Sequence, residues 1–275
     1  PTVYTTGKNL LAGIVLVAIA IGVRSSGRVQ RTAPVPHTVR HRWGLVAVAA
    51  IGGAIPFVLF FEGLSRATSS DAAFLHKTLV VWVAILAVTV LRERVTGLHI
   101  AAVAALMVGQ VAIADGVGSL RPGLGEAMIL TATICWAIEL IVVKRLVVDV
   151  APSTVGVARI GGGSLLLIAW LALTGRLGDL AGLSGSQWAW LVLTGTILSA
   201  FVSVWFAAVA RAQVVDVAAV LVPGAVITGL LGLAAGGTVA PIQAVGWLLM
   251  VIAVAALVGR QIAQSTSRQP ARVMV

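Results

Sequence analysis

His76 and Lys77 stand side by side in DAAFLHKTLVVWVAIL, Asp71–Leu86, inside a stretch apolar enough to cross a bilayer. A charged side chain at the bilayer centre costs about 2.5–3.5 kcal/mol on insertion scales, so such a residue is usually kept for a task. Counted from the Thr68 end, Lys77 lies about 13 Å into a helix, near the middle of a hydrocarbon core about 30 Å thick. Facing a wet cavity, the ammonium would attract an anionic group such as a carboxylate, and the imidazole would hydrogen-bond or carry a proton. The competing reading is a buried pair satisfied by neighbouring helices.

Glu139 is the second candidate, past the middle of its own apolar run. It could pair with Lys77 or exchange protons, or pair with Lys144 near the surface. Trp136, three residues earlier, would line a cavity or simply fill space. Pro56 and Pro223 lie inside apolar runs, where a missing N–H kinks a helix and leaves a carbonyl that protein or a cavity must satisfy. Both mark gating bends or static kinks. Trp82 is a second mid-span ring, read like Trp136. Lys8 and Arg159 sit about two turns inside their runs, where long side chains snorkel. Glu62 and Arg66, spaced i, i+4, read as a local ion pair. Gly161, Gly162 and Gly163 form no phosphate loop and suit close helix contact. Cys135, the single cysteine, cannot form an intramolecular disulfide and reads as a small buried apolar residue.

Composition sets the class that must position these residues. Of 275 residues, 59% are hydrophobic and 10% charged. A soluble domain is nearer one quarter charged, so the chain is an integral membrane protein. The net charge of +10 is dispersed through loops and makes no basic face for nucleic acid.

Nine apolar runs are long enough to cross as helices. They are Thr2–Val23, Gly44–Gly63, Thr68–Leu91, Thr96–Ala114, Leu124–Val143, Pro152–Leu173, Trp188–Ala210, Val214–Ala235 and Ala240–Val258. Of the 19 Lys and Arg residues, thirteen flank one set of helix ends and three the other. The positive-inside rule then places the Arg24–Arg42 loop and the C-terminus in the cytoplasm. Trp43, Trp188 and Trp190 read as interfacial anchors.

The two halves repeat. WGLVAVAAIGGAIPFVLFFEGLSRATSSDAA from Trp43 aligns without gaps on WAWLVLTGTILSAFVSVWFAAVARAQVVDVA from Trp188, at an offset of 145. It pairs Arg66 with Arg211 and Asp71 with Asp216. PTVYTTGK at Pro1 matches PSTVGVAR at Pro152, which pairs Lys8 with Arg159 at an offset of 151. The second half carries five runs and the first half four. A five-helix unit inverts between copies, the signature of secondary transporters with a site near the midplane. The fold expected is therefore all-α, an inverted repeat of five-helix units with nine transmembrane helices: residues 1–116, residues 117–263 and a cytoplasmic tail, 264–275. The first half lacks a counterpart of Leu124–Val143, so a helix ahead of Pro1 is expected, with a natural nine-span form as the alternative.

GLSRATSSDAAFLHKTLVVWVAILAVTVLRERVTGLHIAAVAALMVGQVAIA, ICWAIELIVVKRL, PSTVGVAR and ARAQVVDVAAVLVPGAVITGLLG carry a resemblance. Together they resemble the ten-helix EamA branch of the drug/metabolite transporter superfamily across nearly the whole chain. LAAGGTVAP departs from it where that family usually has an acidic joint. The resemblance implies a secondary transporter in a bacterial inner membrane, exporting small metabolites or drug-like compounds. Its energy would come from proton antiport, facilitated diffusion or exchange. Its partners would be lipid and a small-molecule substrate, and a homodimer stays open. No nucleotide-binding, HExxH, GxSxG or CxxC motif is present, so no cofactor or metal is expected and ATP drive is disfavoured. The competitors are a non-transporting assembly subunit and, with less support, a membrane-embedded enzyme using His76 and Lys77.

Overall fold

The computed structural model describes residues 2–25, 38–113 and 123–267. Much of the Arg24–Arg42 loop, Arg121 and the tail beyond Ser267 lie outside them. The described residues form helices, with no strand among them. Eight helical segments are long and apolar enough to cross a membrane, and Gly97–Ile113 is a shorter apolar helix of 17 residues. Together they match the nine expected runs.

Two compact units divide the chain, and each takes a piece of both repeats. Unit 1 joins Pro1–Ala67 to Gly123–Arg211, and unit 2 joins Thr68–Pro122 to Ala212–Val275. The cuts fall at Ala67 and Arg211, close to repeat-equivalent positions at the offset of 145. The two halves therefore contribute alike to each unit.

Unit 1 contains α1 (Thr2–Ser25), α2 (Val39–Ile51) and α3 (Ile55–Leu64). Unit 2 begins with α4 (Ser69–Lys77), α5 (Leu79–Leu86), which runs into a π-helical turn at Ala87–Leu91, and α6 (Gly97–Ile113). Unit 1 resumes with α7 (Leu124–Leu146) and α8 (Pro152–Val157), then a π-helical turn at Ala158–Gly162 and α9 (Gly163–Leu173). The short α10 (Gly178–Ala181) and the long α11 (Gly185–Arg211) complete it. Unit 2 closes with α12 (Val214–Ala219), α13 (Gly224–Ala234) and α14 (Pro241–Ser267).

Small residues bring the backbones together, as expected where apolar lipid gives helices little hydrophobic reason to associate. In unit 1, a Cβ on Gly63 would meet the Gly125 carbonyl at 2.7 Å, and one on Gly13 would meet Gly161 Cα at 3.2 Å. In unit 2, Gly109 and Gly246 play the same part for α6 and α14, each Cβ position 2.7 Å from the other's carbonyl. Trp43, Trp188 and Trp190 are exposed near helix ends, where interfacial rings belong. Cys135 is half-buried, not the fully buried residue expected of it: it lies between the buried α7 positions Thr133 and Trp136, off the stripe they follow.

Candidate functional site

Among the described residues three spans are broken, and two of the breaks have proline causes. Pro56 has no N–H for the carbonyl of Gly52, four residues earlier, and the helix opens over Gly52–Ala54. The indole Nε1–H of Trp136 donates to that carbonyl at 3.1 Å. Trp136 is thus a packed, hydrogen-bonded ring, with Phe57 edge-on at 5.5 Å and Phe60 at 5.6 Å between centroids. Pro223 ends a second break, Val220–Pro223, between α12 and α13. There the bonds tighten to three-residue spacing, Leu221 N–H to Ala218 and Val222 N–H to Ala219.

The third break holds no proline. It falls at Thr78, whose hydroxyl donates back to the Leu75 carbonyl at 2.6 Å. Lys77 is the last residue of α4, and its Nζ donates to the Leu221 carbonyl at 2.8 Å. That carbonyl otherwise accepts only a long 3.3 Å bond from Gly224 N–H. At the offset of 145 Thr78 corresponds to Pro223, so the repeat-related breaks of unit 2 meet through this one bond. A narrow cleft lies beside it, lined by His76, Lys77, Val80, Ala218, Leu221 and Val222. Lys77 is half-buried there. Its ammonium has three donors, so hydrogen-bonding capacity remains beyond the bond to Leu221.

Glu139 pairs with neither of the lysines weighed for it from sequence, Lys77 and Lys144. It pairs with Arg159, Oε1 to Nε 2.9 Å, with Glu139 3% and Arg159 9% exposed. Lys144 instead donates to the Val209 carbonyl at 2.8 Å. Arg159 does not snorkel as expected. It lies on the π-helical turn Ala158–Gly162 and is buried there. Gly52 and Gly53 make the room: a Cβ on Gly52 would overlap the Glu139 side chain, and one on Gly53 the carbonyl of Arg159.

Lys8 also turns inward rather than toward a surface. Its Nζ lies 5.7 Å from the Phe57 ring centroid and 5.6 Å from that of Phe61. The Arg159 guanidinium carbon lies 6.0 Å from Phe57 and 5.9 Å from Phe206. At the end of α3, Glu62 takes Arg66 at 3.1 Å as expected and also accepts from the Thr2 hydroxyl at 3.0 Å.

A second polar cluster in unit 2 escaped sequence reading. Thr96 N–H donates to His99 Nδ1 at 3.0 Å, which leaves the ring proton on Nε2, 3.3 Å from Asp216 Oδ1. Gln261 donates to the other Asp216 oxygen. Arg260 Nη1 reaches His99 at 2.9 Å and the Thr96 hydroxyl at 3.1 Å. Glu93 accepts from Val214 N–H through both oxygens, at 3.2 and 3.4 Å. LRERVTGLHI, the first turn of α12 and the end of α14 are thereby clasped together. The signal available was Asp71 with Asp216, an acid at the same place in both repeats and buried in both. Among the described residues no group of three or more His, Cys, Asp or Glu side chains could hold a metal ion.

The model of the EamA-like transporter family matches residues 1–114 and 123–259. None of the curated proteins matches the sequence. Among 29 matching solved chains, one titled "Crystal structure of protein" superposes with a TM-score of 0.74. It is 18% identical, and the match covers 94% of this chain and 88% of its own. At that identity the likeness shows the fold alone.

Proposed function

Because the chain belongs to the EamA-like transporter family, we propose that it is a secondary transporter exporting small metabolites or drug-like compounds by alternating access. Family membership makes it a membrane transporter of the drug/metabolite kind. Cargo, direction and mechanism are the proposal. The observation that carries the mechanism is the Lys77 bond to Leu221, which ties two repeat-related helix breaks. Discontinuous helices with unwound carbonyls are where secondary transporters place cargo and coupling ions. A single lysine bond across two such breaks is a contact that an anionic group can trade for its own. His76 and Lys77 then meet cargo in the unit 2 cleft, while Pro56 and Pro223 fix where the helices bend. Glu139 and Trp136 hold the broken α2–α3 span in register, one through Arg159 and the other through the Gly52 carbonyl. The excess of Lys and Arg on one set of helix ends supports a cytoplasmic C-terminus, and the family resemblance supports a bacterial inner membrane.

The test is solute flux into vesicles containing the purified full-length chain, run with and without an imposed proton gradient. Saturable flux that collapses in Lys77→Met, with the variant still folded, supports the reading. Equal flux in wild type and variant removes Lys77 from the mechanism. Absence of flux for a broad panel of organic anions, cations and neutral solutes defeats the transport mechanism proposed.

A further inference from the structure

Unit 1 holds two repeat-related cations in like settings, and among the described residues only one of them has a carboxylate partner. Lys8 and Arg159 correspond at the offset of 151, and Phe61 and Phe206 correspond at the offset of 145. Lys8 Nζ stands 5.6 Å from the Phe61 ring, and the Arg159 guanidinium stands 5.9 Å from the Phe206 ring. Phe57 serves both cations, at 5.7 Å and 6.0 Å. Each half thus places a cation against its own phenylalanine and against a shared one. On the Arg159 side the set is completed by the Glu139 carboxylate at 2.9 Å. On the Lys8 side, among the described residues, no carboxylate lies within ion-pair distance and no hydrogen bond reaches Nζ.

An ammonium in that position has more capacity than its surroundings use. A cation against a ring gains less than desolvation of a charge costs within the hydrocarbon region. Lys8 is only half-buried, so one side of it is accessible. Phe57 and Phe61 stack nearly parallel, 8° between planes, and Phe57 leads on to Trp136. A charged point therefore adjoins the half-buried Phe61 ring, with the buried Phe57 and Trp136 packed behind it. The neighbouring cation Arg159 is matched by the Glu139 carboxylate. Lys8 leaves a net positive charge beside an apolar wall.

We propose that Lys8 and the half-buried Phe61, backed by the buried Phe57, form a binding site for the carboxylate of an amphiphilic organic anion, whose apolar body lies against the Phe61 ring. The bound carboxylate takes the place at Lys8 that Glu139 takes at Arg159. This names a cargo class for the transporter reading and rests on it, but the site is separate from the unit 2 cleft and is tested by binding alone.

The probe is 2-naphthoate, followed by its own fluorescence anisotropy on the full-length chain in phosphatidylcholine nanodiscs, with neutral 2-naphthamide as control. Wild type should bind 2-naphthoate saturably and more tightly than the amide. Lys8→Met should weaken 2-naphthoate at least about tenfold and change the amide less than about twofold, as removal of one partner of a charge pair does. Lys8→Arg keeps the charge and should restore binding to within about threefold, which separates lost charge from lost folding. Phe61→Ala should weaken both probes. Lys77→Met should leave 2-naphthoate binding intact even where flux is lost, so this site and the transport reading fail separately. The proposal is overturned if wild type shows no saturable 2-naphthoate binding or if Lys8→Met binds it as well as wild type. It is also overturned if phosphatidylglycerol in the nanodisc abolishes binding, since Lys8 then serves a lipid phosphate.

Discussion

Lys77 Nζ lies 2.8 Å from the carbonyl of Leu221, and each residue stands at the break of its own helix. The charge is thus held by a backbone dipole rather than by an acid. Lys77→Met removes the donor and keeps the length of the chain. In transmembrane bundles a hydrogen bond of this kind is worth on average about 0.6 kcal/mol and at most about 2 kcal/mol. The expected outcome is a shift of a few degrees in thermal unfolding in detergent and a loss of flux of about tenfold or more. A large loss of flux with a small loss of stability would mark Lys77 as a working residue. The reverse pattern would make it a helix-break clamp.

Glu139 and Arg159 should behave as one unit. Both are buried and 2.9 Å apart, so either alone would be an uncompensated charge. Glu139→Gln or Arg159→Met should each destabilise by about 3–5 kcal/mol, and the pair replaced together by Leu and Met far less than the sum. A double-mutant cycle on unfolding in detergent checks it. Additive losses would show that the two side chains do not depend on each other.

The helices were legible because a helix that crosses a bilayer satisfies its backbone internally and needs an apolar run of the right length. Pro56 and Pro223 likewise announced their breaks, since each lacks an N–H. Thr78 announced nothing, because a tightened turn needs no special residue. The Glu139–Arg159 pair was hidden for another reason. Each residue was visible as an intramembrane charge, but their meeting depends on Gly52 and Gly53 letting the end of α2 approach α7 and the π-helical turn that carries Arg159. Spacing along the chain carries none of that. The His99–Asp216–Gln261 clasp shows the limit of reading one element at a time, since its members come from three helices. The repeat held the usable hint, an aspartate at 71 and again at 216, both buried.

Asp216 is the acceptor at the centre of that clasp. His99 Nε2 and the Gln261 amide both point at it, and His99 is fully buried. Asp216→Ala strands both donors, and each buried polar group left unmatched costs about 1–3 kcal/mol. The unfolding temperature should fall markedly, and the α12 amides should exchange hydrogen faster than those of α11. Unchanged exchange in α12 would mean that the Glu93 carboxylate on Val214 N–H alone holds that helix.

Gly53→Ala should be far worse than its single methyl suggests. The new Cβ would overlap the Arg159 carbonyl and come within 2.9 Å of Gly163 Cα, both backbone atoms that cannot rotate away. The approach that lets Glu139 reach Arg159 would open. Gly232→Ala is the matched control, because a Cβ there meets nothing within 4 Å. It replaces a helical glycine by a better helix former, worth about 0.5–1 kcal/mol in favour of the variant. Gly53→Ala should therefore lose most folded protein on extraction, and Gly232→Ala should match or exceed wild type, measured by size-exclusion fluorescence of a tagged chain. Equal recovery of the two variants would show that α2 has room to move away from the π-helical turn.

Asn9 separates a structural interior from a binding one. It is fully buried, and among the described residues its amide finds no hydrogen-bond partner for nitrogen or oxygen. A buried amide without partners costs about 1–3 kcal/mol, and replacing it by an apolar side chain of similar shape removes that cost. Asn9→Leu should raise the unfolding temperature if the amide is only a liability. It should also leave 2-naphthoate binding at Lys8 unchanged, because consecutive residues of a helix point about 100° apart and do not share a face. A lower unfolding temperature would instead mean that a buried water or a ligand completes the amide, and that the interior of unit 1 is wetter than its rings suggest.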